Sequence, residues 1–375
     1  MADSFTGMAS RLKAARVASG LSTRDVASRL PDAHRVSHAT IANYENGRFS
    51  PPIELLSAIS ELYGKPVVWF LSSSPALSGI RYRCRKSKLR KQDKDWYEAT
   101  AAGLLEAYAR LETDLKRPLK QKAPIEAKLG ESPADLAARV RQELKIPATE
   151  PIPSLVAILE RYGIRVVELA TDLPIDGMAA TFGKGYAVVM NPNTSNDRCR
   201  MNAGHELFHV LYGDCENGAA PEKVAEPRAF EGASHLIMPD PQLKEAFRGQ
   251  SMVRLVQYKE RFGISLAAMV YRAKQAGIIT ESTSKWLWIE FAKRGWRTKE
   301  PGRVRPDRAT RFEELLDGAV AAGARSWSDL VRLTCMREEE LRSRIQAALG
   351  ILPDSDGHEE EGEDQDEPNV LKFPQ

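Results

Sequence analysis

The chain has 375 residues, of which 42% are hydrophobic and 28% charged, with a formal net charge of +3. That length predicts two or three domains, and the apolar content is enough for real cores, so a wholly disordered chain is excluded. There is no signal peptide and no apolar run of the roughly 20 residues that a membrane helix needs, so a cytoplasmic, nucleoid-associated protein with no membrane partner is expected. The four cysteines (84, 199, 215 and 335) form no Cys-x-x-Cys pair, as expected in a reducing compartment.

Residues 8–71 read as a bundle of short helices. The first spans Met8–Ser19 and is closed by Gly20. Ser22-Thr-Arg-Asp25 is an acidic capping box opening a second helix that runs to Leu30. Ser37 is the N-cap of a third, His38–Asn46, with Gly47 at its C′ position, and Pro51-Pro52 starts a fourth through Tyr63. Two short helices joined by a turn, the second carrying small polar residues, follow helix-turn-helix logic. The segment resembles the lambda-repressor-like (XRE) domain. The matching pieces are Leu12-x-x-x-Arg16-x-x-x-Gly20-Leu21-Ser22, Val26-Ala27, Val36-Ser37, Ile41-x-x-Tyr44-Glu45-x-Gly47 and Pro52-x-x-x-Leu56. Pro31–Arg35 makes the turn longer than that family's norm. The resemblance implies double-stranded DNA as partner. His38, Ala39, Thr40 and Asn43 would then face base edges, while Thr23, Arg35 and Arg48 would touch phosphates. Arg16 and Glu45 are expected to pair. A protein–protein role for the bundle is the alternative.

Residues 72–94 are expected to be a basic linker. The run 81–94 can track a phosphate backbone or serve as a solvated hinge. Within 95–130, Trp96–Leu115 reads as a connecting helix and a possible homodimer contact, because such DNA readers bind paired half-sites.

Residues 131–300 alternate helix and strand patterns. Ser132–Leu144 and Ile152–Tyr162 are expected helices, Ile164–Leu169 a strand, and Gly177–Phe182 with Tyr186–Met190 a hairpin around Gly183-Lys-Gly185. A strand edge there is a place for an extended substrate. His205-Glu206-Leu207-Phe208-His209 follows. Histidines four apart share a helix face and can aim at one Zn²⁺, leaving Glu206 placed as general base. A third ligand is expected from Glu226, at the start of a helix with Pro227 in its first turn; Glu222 and Glu231 are the substitutes. His235 is expected to be packed, Cys199 and Cys215 not to be ligands, and Tyr212 is a candidate for steadying the oxyanion.

Arg200…His205-Glu206-Leu207-x-His209, then Glu226-x-x-Ala229 and Leu236-Ile-Met-Pro239, resembles the ImmA/IrrE metallopeptidases over roughly 132–300. The resemblance implies zinc, water-mediated peptide cleavage and a repressor protein as substrate. Phe208 stands where that family often has Gly, and Gly204 where it often has Ala; Phe208 is expected to narrow the cleft.

A second helix-turn-helix-like pair, Val253–Phe262 and Leu266–Gln275, is expected to pack through Leu266, Met269, Val270 and Ala273 rather than to read DNA. Residues 301–352 make a helical C-terminal region beginning with a polar connector. The acidic stretch 353–375 is expected to be disordered, keeping the protein soluble or masking the DNA face. The fold class expected is α+β: an all-helical helix-turn-helix domain, a small zincin-like domain, then helices. The function expected is a zinc endopeptidase fused to a DNA-binding domain, cutting a repressor or itself. The alternative is a DNA-binding regulator whose peptidase-like domain senses or dimerises without proteolysis.

Overall fold

A computed structural model describes residues 2–71, 77–84, 89–119, 125–216, 220–249, 251–334 and 336–350. The expected acidic tail lies outside the described residues. The N-terminal bundle comprises α1 (Ala2–Ala18), α2 (Thr23–Arg29), α3 (His38–Glu45), α4 (Ile53–Tyr63) and α5 (Val67–Leu71). Its caps follow the sequence. Ser22 Oγ accepts from the Asp25 N–H at 3.1 Å while the Asp25 carboxylate accepts from the Ser22 N–H at 2.8 Å, and Ser37 Oγ accepts from the Thr40 N–H. Residues Asp32–His34 of the long turn form a single 3₁₀ turn. Leu12, Val26, Ile41, Leu56 and Ile59 close the bundle core. Arg16 and Glu45 pair through two bonds, 2.6 and 2.8 Å long.

The stretch expected to be a linker is divided. Residues 77–84 form strand β1 (Leu77–Cys84), 91–94 begin helix α6 (Lys91–Asp114), and 72–76 and 85–88 lie outside the described residues. The bundle is docked rather than hinged. Glu106 of α6 accepts from Arg11 Nη2 at 3.2 Å and from Trp69 Nε1 at 2.6 Å. Helix α6 is also not a free dimer face. Tyr97, Leu104, Leu105, Tyr108 and Leu111 are fully buried, because the sheet and C-terminal helices cover its apolar stripe.

Next come α7 (Pro133–Glu143), α8 (Leu155–Arg161), β2 (Arg165–Glu168), β3 (Ile175–Phe182), β4 (Gly185–Met190), α9 (Asn196–Leu211) and α10 (Glu222–Ile237). The sheet has four strands in the order β1-β3-β4-β2, with β1/β3 and β3/β4 antiparallel and β2/β4 parallel. Sequence patterning gave three strands; the fourth is β1. The alternation along β4 sends Ala187 and Val189 to one core and Val188 and Met190 to the other, so the sheet is covered on both faces. Helix α9 lies on one face and α6 on the other.

Helices α11 (Asp240–Phe247), α12 (Met252–Phe262), α13 (Leu266–Gln275) and α14 (Glu281–Lys293) extend the α9 side. Leu266, Met269, Val270 and Ala273 are buried, as a packing role requires. Helices α15 (Arg311–Ala321), α16 (Trp327–Thr334) and α17 (Glu338–Ala348) cover α6. The polar connector before α15 is pinned by Asp307, which accepts from Arg200 Nη1 at 2.8 Å in a buried ion pair. Arg200 Nη2 also donates to the Ile152 carbonyl at 2.6 Å, so this arginine fixes the start of α9.

Candidate metal centre

The spacing of His205 and His209 on α9 puts their Nε2 atoms 3.0 Å apart. Helix α10 runs back beside α9 after the connection 212–221 and brings Glu226 to both. Its Oε2 lies 3.2 Å from His205 Nε2, and its Oε1 lies 3.2 Å from His209 Nε2. Donor atoms about 2.0 Å from a tetrahedral zinc stand about 3.3 Å from one another. The two histidine nitrogens, and an oxygen of Glu226 beside each of them, stand near that edge length, so the residues present fit the ion. The two histidines are almost fully buried, whereas Glu226 keeps 28% of its side chain exposed, which leaves one side open. Among the described residues this is the one group of His, Cys or carboxylate side chains gathered as a metal site, and it holds neither cysteine. Glu222 and Glu231 are not in it.

Two details differ from expectation. Helix α10 starts at Glu222 behind Pro221, so Pro227 lies inside the helix and Glu226 in its second turn. The missing Pro227 N–H is tolerated there at the cost of one backbone bond. Phe208 does not narrow the cleft. It is fully buried against α10, where a Cβ on Gly232 would come within 2.1 Å of its ring. The pair is a close helix–helix contact: a large knob on α9 over a bare backbone on α10.

Glu206 is fully buried, and both carboxylate oxygens lack a hydrogen-bond partner. Gly177 on β3 makes room for it, since a Cβ there would sit 3.3 Å from Glu206 Oε1. Burial pushes its pKa up to about 7. Burial pushes His205 down to about 4. Burial also opposes charge on His209, but the hydrogen bonds it donates to the Asp214 and Glu226 carboxylates outweigh that and raise it to about 9.

Asp214 was not singled out from the sequence. Its Oδ2 lies 3.0 Å from His209 Nδ1, and Arg228 bonds its other oxygen. A carboxylate on the far nitrogen of a ligating histidine fixes ring and tautomer. The available signal was an acid five residues past the second histidine, just beyond the helix end. The Tyr212 ring lies under Arg228, 4.1 Å from the guanidinium, and against Phe208, and its hydroxyl is buried without a hydrogen-bond partner. His235 is packed, its Nδ1 3.0 Å from Arg272 Nη2. A groove is lined by Arg83, Asp197, Met201, Phe230, Tyr271 and Trp288, and His205, Glu206, His209 and Glu226 are not among its lining residues.

The candidate DNA contacts cluster on the bundle. His38 and Ala39 are exposed at the start of α3, Thr40 and Asn43 are half-buried further along it, and Arg35 and Arg48 are exposed at its flanks. Arg35 also pairs with Asp32. Thr23 is half-buried and lines a groove shared with Trp96 and Thr171.

Residues 159–274 match the family described as the IrrE N-terminal-like domain, and residues 12–70 match a helix-turn-helix family. No curated protein matches the chain. The chain therefore fuses a helix-turn-helix DNA-binding module to an IrrE-like peptidase-family domain with a cluster able to hold a metal. Among the described residues no helix is long and apolar enough to cross a membrane.

Proposed function

We propose that this fusion is a zinc-dependent endopeptidase tethered to a DNA reader, with a repressor protein as its substrate. The observation that carries the reading is two histidine nitrogens 3.0 Å apart, each 3.2 Å from an oxygen of Glu226, beside a buried carboxylate with no partner. His205, His209 and Glu226 would hold the zinc. Zinc bound there supplies Lewis acidity to the scissile carbonyl and to water. Glu206 takes a proton from the attacking water. The water oxygen joins the carbonyl carbon, the C–N bond breaks, and Glu206 returns the proton to the leaving nitrogen.

The DNA half supplies location. His38, Ala39, Thr40 and Asn43 read bases in the major groove, and Thr23, Arg35 and Arg48 hold phosphates. A protein bound at the same operator then meets the peptidase at high effective concentration, which favours a neighbouring repressor. Pairing of two chains on two half-sites fits this class of reader.

The test is a pull-down with the Glu206→Gln protein, zinc-loaded, from cells carrying the operator. It is expected to trap an uncut repressor that the wild type cleaves. Absence of any trapped partner, together with no cleavage by wild type with or without DNA, would instead favour a regulator that does not cut.

A further inference from the structure

The edge of the sheet beside the metal centre is not free. Without β1, the outer edge of β3 would face the cleft, and extended peptides bind such edges by adding a strand. β1 adds there instead, antiparallel, with Arg81 opposite Ala179, Tyr82 opposite Met178 and Arg83 opposite Gly177. Side chains alternate across a sheet, so Arg81 and Arg83 share the face of Gly177, the residue that abuts Glu206. Tyr82 takes the opposite face, packs on Tyr97 and donates to Glu98.

On the metal side, β1 lies along the connection between α9 and α10. Gly79 (φ +59°) passes so close to Cys215 that an added Cβ would fall 1.7 Å from its carbonyl oxygen. Arg81 donates to the Asp214 carbonyl at 2.8 Å and to the Ala220 carbonyl at 3.1 Å. The Arg83 guanidinium lies 5.8 Å from the Phe230 ring centre, with Nη1 buried and unpartnered. Its charge is opposed by burial and supported by Glu206, Asp176 and Glu226. β1 thus closes the outer edge of β3 and is held by Gly79 and Arg81 against Cys215, Asp214 and Ala220, in the connection between α9 and α10.

We infer that residues 77–84 are a built-in occupant of the substrate edge, filling in cis the track meant for an extended Gly-x-Arg-x-Arg-like segment of a protein substrate. This rests on the peptidase reading above. The chain is closed while β1 is paired with β3, and substrate enters when β1 leaves. Arg81 anchors the occupant on backbone carbonyls, and Arg83 presents its cation to the carboxylates of the site. The substrate class follows from the same contacts: an extended segment, small where it crosses Cys215, with arginines two and four residues later.

The experiment uses full-length, zinc-loaded protein in the Glu206→Gln background, so that nothing is cut. The probe is a fluorescein-labelled peptide of sequence 77–84 with serine in place of the terminal cysteine. Gly79→Val forces β1 off Cys215, and Arg81→Glu, which removes its carbonyl anchors, is the second variant should the first fail to fold. Hydrogen exchange of β1 reports its release. The parent is expected to bind the peptide at least tenfold more weakly than a released variant. In the released variant with Glu206 intact and the zinc removed by a chelator, so that nothing is cut, a peptide with alanine at the Arg83 position should bind about tenfold more weakly. Release of β1 without a gain in peptide binding overturns the inference, as does failure of both variants to release it, because β1 is then an ordinary structural strand. The peptidase reading fails separately: a released variant with Glu206 intact that binds the peptide but cleaves neither it nor a repressor sinks that reading alone.

Discussion

His209 presents Nε2 to the site and keeps its other nitrogen, Nδ1, 3.0 Å from the buried carboxylate of Asp214. That contact orients the ring before any ion arrives, and Arg228 holds the aspartate in turn. Removing such an outer carboxylate typically lowers metal affinity about 10–100-fold. Asp214→Ala should therefore still fold but release zinc to a weak chelator that leaves the parent loaded. His205→Ala and His209→Ala should abolish stable loading, Glu226→Ala should weaken it markedly, and Glu206→Gln should leave it near one ion per chain. Unchanged zinc affinity in the Asp214→Ala protein would refute the orienting role. Full retention in Glu226→Ala would move the third ligand elsewhere.

The buried pair Arg200–Asp307 predicts a stability effect at the first turns of α9. Asp307 also accepts from the Leu155 N–H at 2.7 Å and from the Ser154 hydroxyl, so it caps α8 while neutralising Arg200. Truncating one partner of a buried pair strands the other charge and costs about 3–5 kcal/mol. Asp307→Ala should lose that much in urea unfolding, whereas replacing Arg200 and Asp307 together by apolar residues should lose less. A single-variant loss below about 1 kcal/mol would mean the arginine finds water or another partner.

What was readable in the chain sorts by the range of the interaction that decides it. Histidines four apart on a helix are a local matter, and so are the Ser22 and Ser37 caps; the structure has all of them where periodicity and capping put them. Glu226 was readable because α10 has to fold back along α9. The start of α10 was misplaced because Pro221 competes with Pro227 for the helix entrance, and the earlier proline takes it. β1 was hidden because Arg-x-Arg on one face and Ile80 and Tyr82 on the other look like a solvated basic run. Only the edge of β3 gives that alternation a meaning. Asp214 stayed unnoticed because its reach depends on the turn after α9, which no local pattern fixes.

For the DNA half, full-length protein is the material to use, because residues 77–84 belong to the sheet. Its duplex affinity should fall steeply with salt, since phosphate contacts release counterions. Arg48→Ala should weaken all sequences alike and reduce the log–log salt slope by about one. Asn43→Ala should cost roughly 1–3 kcal/mol at particular base pairs and leave others unaffected. Binding measured across a set of operator variants separates the two. Uniform weakening by Asn43→Ala would remove it from base readout, and no affinity at low salt would favour a protein partner for the bundle.

Glu160 on α8 gives the pH prediction. Burial pushes its carboxyl up to about 7 from an ordinary 4.5, with Arg311 only partly offsetting and Glu314, Glu313 and Asp307 adding to the rise. One of its oxygens is buried without a hydrogen-bond partner. The sign follows from proton counts. Below about 4.5 both folded and unfolded chains keep the proton on this group, and it does not affect stability. Between about 4.5 and 7 the unfolded chain has lost it while the folded chain retains it, so folding stability falls as pH rises through that window. Above about 7 the folded chain bears a charge in a poorly solvated place, and the full penalty of up to about 3 kcal/mol is present. Glu160→Gln keeps the shape and removes the ionisation. The variant should gain stability over the parent from pH 5 to pH 8, with most of the gain between pH 5 and 7 and a plateau above. Urea unfolding of both proteins at pH 5, 6, 7 and 8 measures this difference directly, and groups common to both cancel from it. A difference independent of pH would show that Glu160 ionises as it does in water and that α8 leaves it solvated.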